Sequence, residues 1–328
     1  MTFDLHADTL EFQNLCDNYR EAIGDNKTAL AKMEYAKIQS LVFKTVDRLR
    51  LTFKLDMTEK KTRIDIKRGI MMPGMTIPRL IGAPNRSRVK PITLNIQSQK
   101  KSDGINMLLD YSGSMWFDEQ RDTIDGVKRI MAQNFLTLCT AGLISRLSPK
   151  SVIQVTAYCQ TPIIILKVDS KNPFERADWD GLIVHNEWGS GIYQGLRLLP
   201  TALKGCKSDW FNSEYLNDAI ETSVKSFTSK NQKFKKFINL LITDGGLSRQ
   251  GESELDRAKF MKTQFNKITQ MSDNNVSAFI FIKQQATDTE EFCKTFNIDY
   301  TVINERDQME NAFVKLTNLV NHSVSKSR

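Results

Sequence analysis

From about residue 104 onward the chain alternates short apolar runs with longer amphipathic stretches, and this alternation limits its fold more than any other feature. Runs at 105–110, 152–158, 162–168, 237–243, 277–283 and 299–303 read as strands. Stretches near 118–145, 191–203, 213–229, 253–272, 287–296 and 306–323 read as helices. Apolar strands interleaved with amphipathic helices imply a mostly parallel, doubly wound sheet, because each crossover lays a helix on a sheet face. The pair 152–158 and 162–168, split by Gln160-Thr161, reads instead as a hairpin at one sheet edge. No internal repeat or low-complexity segment interrupts the pattern.

Upstream the spacing changes. Leu10, Leu15, Tyr19 and Ile23 fall roughly at helical intervals over 7–23, and that stretch ends at Gly24. Leu30, Met33, Ile38, Leu41, Val42, Val46 and Leu49 do the same over 27–50, which predicts a helical hairpin turning at Gly-Asp-Asn-Lys. Period-two patterns in LTFKLDM (51–57) and TRIDIK (62–67) predict short strands. Pro73, Gly74, Pro78, Gly82 and Pro84 predict a loop over 70–90, followed by a flanking strand at 91–97. The expected organisation is a hairpin and first strand (1–57), a basic, Pro/Gly-broken extension with short strands (58–103), and an α/β domain (104–328).

Two of the apolar strands stop at an aspartate. The first runs Leu108-Leu109-Asp110-Tyr111-Ser112-Gly113-Ser114-Met115, so two hydroxyls follow Asp110 at alternating positions. The second runs Leu240-Leu241-Ile242-Thr243-Asp244-Gly245-Gly246, where the glycines permit a tight turn. Between them, Gly189-Ser190-Gly191-Ile192 sets a hydroxyl in a glycine-rich loop before a helical pattern. In a Rossmann-like strand order the strands ending at Asp110 and Asp244 are neighbours and flank the point where the winding reverses. Ligands of open α/β sheets bind in that crevice. A carboxylate with neutral hydroxyl oxygens suits a hard divalent cation, and Mg²⁺ in particular accepts a few protein oxygens while keeping several waters.

In order and rough spacing these three segments resemble the metal-ion-dependent adhesion site of the von Willebrand factor A (VWA) domain family. That family's pattern is Asp-x-Ser-x-Ser, then a loop Thr, then an Asp, usually in Thr-Asp-Gly. The resemblance spans roughly residues 104–323 and implies the VWA fold: a Rossmann-like, doubly wound, mostly parallel six-stranded sheet flanked by helices. It also implies roles. Ser112 and Ser114 would bind the cation through their hydroxyls, Ser190 directly or through water. Asp110 and Asp244 would hold coordinated waters and orient the serines. The cation would be Mg²⁺, with Mn²⁺ or Ca²⁺ as substitutes, and its open position would take an Asp or Glu of a protein partner. Intracellular VWA proteins work beside MoxR-type AAA+ ATPases and in metal-chelatase complexes, so such an ATPase is the partner the resemblance suggests. This chain departs from the family at Ser190, which stands where a threonine is usual; Ser190 as a helix cap and Asn186 or Glu187 as rival donors stay open.

Charge is unevenly placed. The net charge is +8, yet residues 60–101 hold Lys60, Lys61, Arg63, Lys67, Arg68, Arg79, Arg86, Arg88, Lys90, Lys100 and Lys101 against Asp65 alone. Such a segment suits a solvated connector, an acidic partner or nucleic acid, although it has no aromatic residue on which single-stranded bases could stack. Packing of the fold into a viral or other assembly, without metal, is a further alternative. The five cysteines lack metal-ligand spacing and read as free thiols in a reducing compartment. The N-terminus has no signal-peptide pattern and no apolar run reaches membrane-spanning length, so a cytoplasmic or virion location without membrane contact is expected. The Lys-, Asn- and Ile-rich composition suits an AT-rich microbial or phage genome. Catalysis is not expected. The chain has neither a Walker-type Gly-x-x-x-x-Gly-Lys nor a Gly-x-Ser-x-Gly elbow, and Ser112 stands where an aspartyl-phosphate enzyme continues Asp-x-Asp.

Overall fold

The computed structural model describes residues 4–71, 103–116, 123–158, 162–183, 221–223, 225–227, 234, 236–244, 263, 275–283, 293–294 and 298–322. Met1–Val46 and Lys101–Arg328 form one compact unit, and Asp47–Lys100 clusters as a second.

The larger unit is built on a six-stranded sheet in the order β5-β4-β1-β6-β7-β8. Its strands are β1 (Gly104–Asp110), β4 (Val152–Tyr158), β5 (Ile163–Val168), β6 (Phe237–Thr243), β7 (Asn275–Ile282) and β8 (Asp299–Ile303). All pairings are parallel except β4 with β5, the expected edge hairpin. Every residue of β1 and of β6 is buried, as central strands covered on both faces require. The pairing of β1 with β6 runs in register from Gly104↔Phe237 to Leu109↔Ile242, so their carboxyl ends finish side by side. The doubly wound sheet expected from the alternation is therefore present, and its winding reverses between the two strands that end in the aspartates.

Three expectations need correcting. The helix predicted at 118–145 does not run through 123–128. Thr123–Ile124 (β2) and Val127–Lys128 (β3) pair as a small antiparallel hairpin, and helix α3 starts only at Arg129, running to Leu147. The cause is local: Asp125 (φ 47) and Gly126 (φ 88) both take left-handed backbone, the pairing that Asp-Gly supplies for a two-residue hairpin turn. Gly126→Val is expected to lower stability by about 1–2 kcal/mol in chemical denaturation, because a β-branched residue strains that φ. A Cβ there meets no atom within 4 Å, so steric clash would not confound the result.

The strands predicted at 51–57 and 62–67 are not formed either. Helix α2 continues unbroken over Thr28–Met71, consistent with a stretch rich in Lys, Arg, Leu and Met and free of proline. Short period-two runs also occur by chance in helical sequence, and propensity over the longer window decides.

The N-terminal hairpin itself matches expectation: α1 (Leu5–Gly24) is followed by a turn through Asp25-Asn26-Lys27 into α2, with Asn26 in left-handed conformation (φ 57). Asp4 caps α1 by accepting from the Ala7 N–H at 3.0 Å. What the sequence did not announce is where α1 sits. It packs on α3, with Phe12 and Phe135 ring centroids 5.0 Å apart, and on the β2–β3 hairpin. There His6 Nε2 lies 3.0 Å from Ile124 O, the Gln13 amide donates to Gly126 O, and Lys128 N–H donates to Gln13 Oε1. A layer outside α3 explains why α3 is buried on all sides from Arg129 to Ile144 rather than along one stripe.

The opposite sheet face carries an aromatic cluster of Phe227, Phe234, Phe237, Phe279 and Phe281. A transverse polar row crosses that sheet, pairing Asn106 in register with Gln154 on one side and Asn239 on the other. Asn106 donates to Asn239 Oδ1 at 2.8 Å and to Ser223 Oγ at 3.0 Å. The final helix, α4, spans Arg306–His322. Of the helices expected at 213–229, 253–272 and 287–296, residues 221–223, 225–227, 263 and 293–294 are described and helical; 191–203 and the strand at 91–97 lie outside the described residues. Cys16, Cys139 and Cys293 are buried. No helix among the described residues is long and apolar enough to cross a membrane.

Candidate metal centre

β1 delivers Asp110 to the rim of the crevice, and the chain then turns sharply. Tyr111 N–H bonds Tyr158 O at 2.9 Å, which extends the β1–β4 pairing one residue past the aspartate. A tight helical turn follows at Gly113–Trp116, closed by Met115 N–H donating to Ser112 O at 3.1 Å. This turn brings the Ser112 and Ser114 hydroxyls to 3.1 Å of each other. The residue between them and Asp110 is also fixed: the buried Tyr111 hydroxyl lies 2.9 Å from Gly181 O and 3.2 Å from Asn134 Oδ1. Alternating side chains thus serve two purposes, with Tyr111 anchoring the loop while Asp110 meets Thr243 and Ser112 meets Ser114.

Asp110 is fully buried and doubly held. One carboxylate oxygen accepts the Ser112 backbone N–H at 2.8 Å, and the other accepts the Thr243 hydroxyl at 2.6 Å. Gln133 on α3 donates to the Asp110 carbonyl at 2.8 Å. Thr243 ends β6 and Asp244 follows it, so the neighbouring strand supplies a partner for the first carboxylate and leads directly to a second carboxylate. Burial first, and then the charge of Asp244, push the Asp110 carboxyl well above the usual carboxylate range, although the bonds from Thr243 and Ser112 oppose this. Two carboxylates brought together out of water call for a cation.

The protein places one positive group there itself. Arg129, the first residue of α3 and 1 % exposed, sets a guanidinium nitrogen 3.1 Å from an Asp244 carboxylate oxygen. The same nitrogen donates to the Ser114 carbonyl at 3.1 Å. Arg129 and Gln133 were not among the residues expected at the site, and Thr243 was expected only as part of the Thr-Asp-Gly segment. The sequence carried no signal for Arg129, because only the β2–β3 hairpin moves the helix start to it; there a cation sits at the unfavourable end of the helix dipole and is offset by the anionic Asp244.

The donor chemistry suits a hard cation: Asp110, Ser112, Ser114 and Asp244 offer oxygen alone, and soft ligands are absent from the set. Among the described residues no three His, Cys, Asp or Glu side chains cluster as a metal site, so hydroxyl donors would have to carry much of the coordination. The structure brings together four of the five expected site residues; Ser190, with its rivals Asn186 and Glu187, lies outside the described residues. Of the basic run, Lys60, Lys61, Arg63, Lys67 and Arg68 fall on α2, whereas Arg79, Arg86, Arg88 and Lys90 lie outside the described residues. Trp116 ends the tight turn, and Phe117 is outside the described residues.

The sequence matches no protein-family model and no curated protein. Solved structures similar to it include the SpRpn10 VWA domain (14% identity, TM-score 0.40, covering 66% of this chain and 95% of that one). The conserved hypothetical protein BatB from Bacteroides thetaiotaomicron is similar at 11% identity and TM-score 0.40, over 66% of this chain and all of BatB's chain (100%). Proximal thread matrix protein 1 from the mussel byssus is similar at 11% identity and TM-score 0.40, over 67% of this chain and 48% of that one.

Proposed function

We propose that this chain is a non-catalytic interaction module that binds an Asp or Glu of a protein partner through a divalent cation, in the manner of the VWA domains its motifs resemble. The observation that carries the reading is the meeting of Asp110, Ser112 and Ser114 with Asp244 at the ends of adjacent central strands. Ser112 and Ser114 would hold the cation, Asp110 and Asp244 would fix their orientation and the coordinated waters, and Ser190 would complete the set. The cation, Mg²⁺ by default with Mn²⁺ or Ca²⁺ as alternatives, supplies positive charge and an open coordination position for the incoming carboxylate. A loop held at its start by Gln133 on the Asp110 carbonyl and by the Tyr111 hydroxyl, and at Ser114 by Arg129 on the carbonyl, pre-arranges the hydroxyls so that little ordering is left for binding. A MoxR-type AAA+ ATPase is the partner class this reading favours.

Calorimetric titration of Mg²⁺ and Mn²⁺ into the wild-type protein beside Asp110→Ala tests it. Saturable binding to the wild type alone is expected. Equal binding by Asp110→Ala, or none by the wild type at millimolar ion, would overturn the reading.

A further inference from the structure

We infer that Arg129 is the resident cation of this site: its guanidinium neutralises Asp244 inside the protein and competes with a divalent ion for that carboxylate. The inference rests on the metal reading above and adds a control on it. Arg129 bridges the two elements a metal would join, touching Asp244 at the end of β6 and the Ser114 carbonyl in the turn after β1. Both partners of the ion pair are buried, at 2% and 3% side-chain exposure, so water does little to screen them. A guanidinium offers several donors in a fixed planar fork, which suits it to hold a carboxylate and a carbonyl at once.

The consequence for binding is a matter of charge. Asp110, Asp244 and Arg129 together carry one net negative charge when both carboxylates are ionised, where the carboxylates alone would carry two. A divalent ion entering beside Arg129 leaves the group with net positive charge, and one entering in its absence leaves it neutral. Arg129 therefore weakens ion binding and, in the loaded site, strengthens the demand for a further carboxylate. An acidic partner residue and the metal would then bind together more readily than the metal alone.

Arg129 is also held from outside. It follows directly on the β2–β3 hairpin, which α1 grips through His6 and Gln13. The guanidinium is thereby tied to a rigid start of α3 and is not free to drift to solvent as a surface arginine would.

The test combines a double-mutant cycle with ion titration, on the full chain. Stability is measured for the wild type, Arg129→Met, Asp244→Asn and the double variant without divalent ions, and Mg²⁺ affinity is measured for the wild type, Arg129→Met and Arg129→Lys. Arg129→Met is expected to unfold at lower denaturant, and adding Asp244→Asn is expected to restore much of the loss, because the buried carboxylate no longer stands alone. Mg²⁺ is expected to bind Arg129→Met about tenfold or more tightly than the wild type, since one unit of positive charge has left its neighbourhood. Arg129→Lys, which keeps the charge, is expected to stay near the wild type. If Arg129→Met does not fold alone, its recovery by millimolar Mg²⁺ supports the inference and lack of recovery overturns it. Additive losses in the cycle, or Mg²⁺ affinity unchanged or weaker in Arg129→Met, also overturn it while leaving metal binding by the wild type intact. A coupled cycle with no ion binding in any variant instead overturns the metal reading itself.

Discussion

Trp179→Ala is expected to destabilise the protein by about 3–5 kcal/mol, within the usual range for removing a buried tryptophan. Trp179 is wholly buried, with its ring centroid 4.7 Å from that of Phe174 and 5.5 Å from that of Phe43. Its indole N–H donates to Phe174 O at 3.2 Å, and its carbonyl accepts the N–H groups of Leu182 and Ile183. The ring thus packs the first part of α2 against the segment after β5, at a place where Gly142 of α3 also comes close: a Cβ there would lie 2.8 Å from Phe174 and 2.9 Å from Val46. Loss of the ring leaves a cavity that three separate segments would have to close together. Since whole domains are stable by about 5–15 kcal/mol, a fall of this size should move the urea midpoint far enough to read directly. A midpoint within error of the wild type would mean that the N-terminal hairpin contributes little to the stability of the larger unit.

The double substitution Ser112→Ala with Ser114→Ala is expected to do the opposite: leave the fold and remove the metal response. The two hydroxyls are 3.1 Å apart and that of Ser112 also bonds the Asp110 carboxylate, so removing both takes away a bonded pair and one of three groups that hold Asp110. Such a change costs about 1 kcal/mol or less. Asp110 keeps its bonds from the Ser112 backbone N–H and the Thr243 hydroxyl, which do not depend on either serine side chain. An ion present at a hundredfold excess over its dissociation constant stabilises the protein that binds it by about 2.7 kcal/mol. Thermal unfolding with and without Mg²⁺ should show that gain in the wild type and none in the double variant. A retained Mg²⁺ shift in the double variant would place the ion elsewhere. No shift in either protein would favour a fold used as a scaffold.

These two outcomes rest on parts of the molecule that were unequally legible. The strands ending at Asp110 and Asp244 could be read directly, because a strand buried on both faces is a continuous apolar run and its end is marked by the first polar residue. The doubly wound order followed from strand–helix alternation, and it already implied that two aspartates far apart in sequence would finish side by side. The β2–β3 hairpin was written in Asp125-Gly126 but was masked by the apolar periodicity of the helix after it. The continuation of α2 through 51–67 was hidden for a related reason: five or seven residues of alternation carry less information than the propensity of the longer stretch around them.

Other features had no local signature. Nothing near Trp179 announces Phe43, and nothing near Gln13 announces Gly126, because such pairings join segments separated by more than a hundred residues and depend on shape. Arg129 shows the division most clearly. By itself the sequence determined the element types, the order of the sheet, and the two carboxylates with their serines at one crevice. Only the tertiary structure decided that an arginine would enter that crevice. A buried carboxylate selects its counter-charge by distance in space, and the helix that carries Arg129 reaches Asp244 only once α1, the hairpin and the sheet are packed around it.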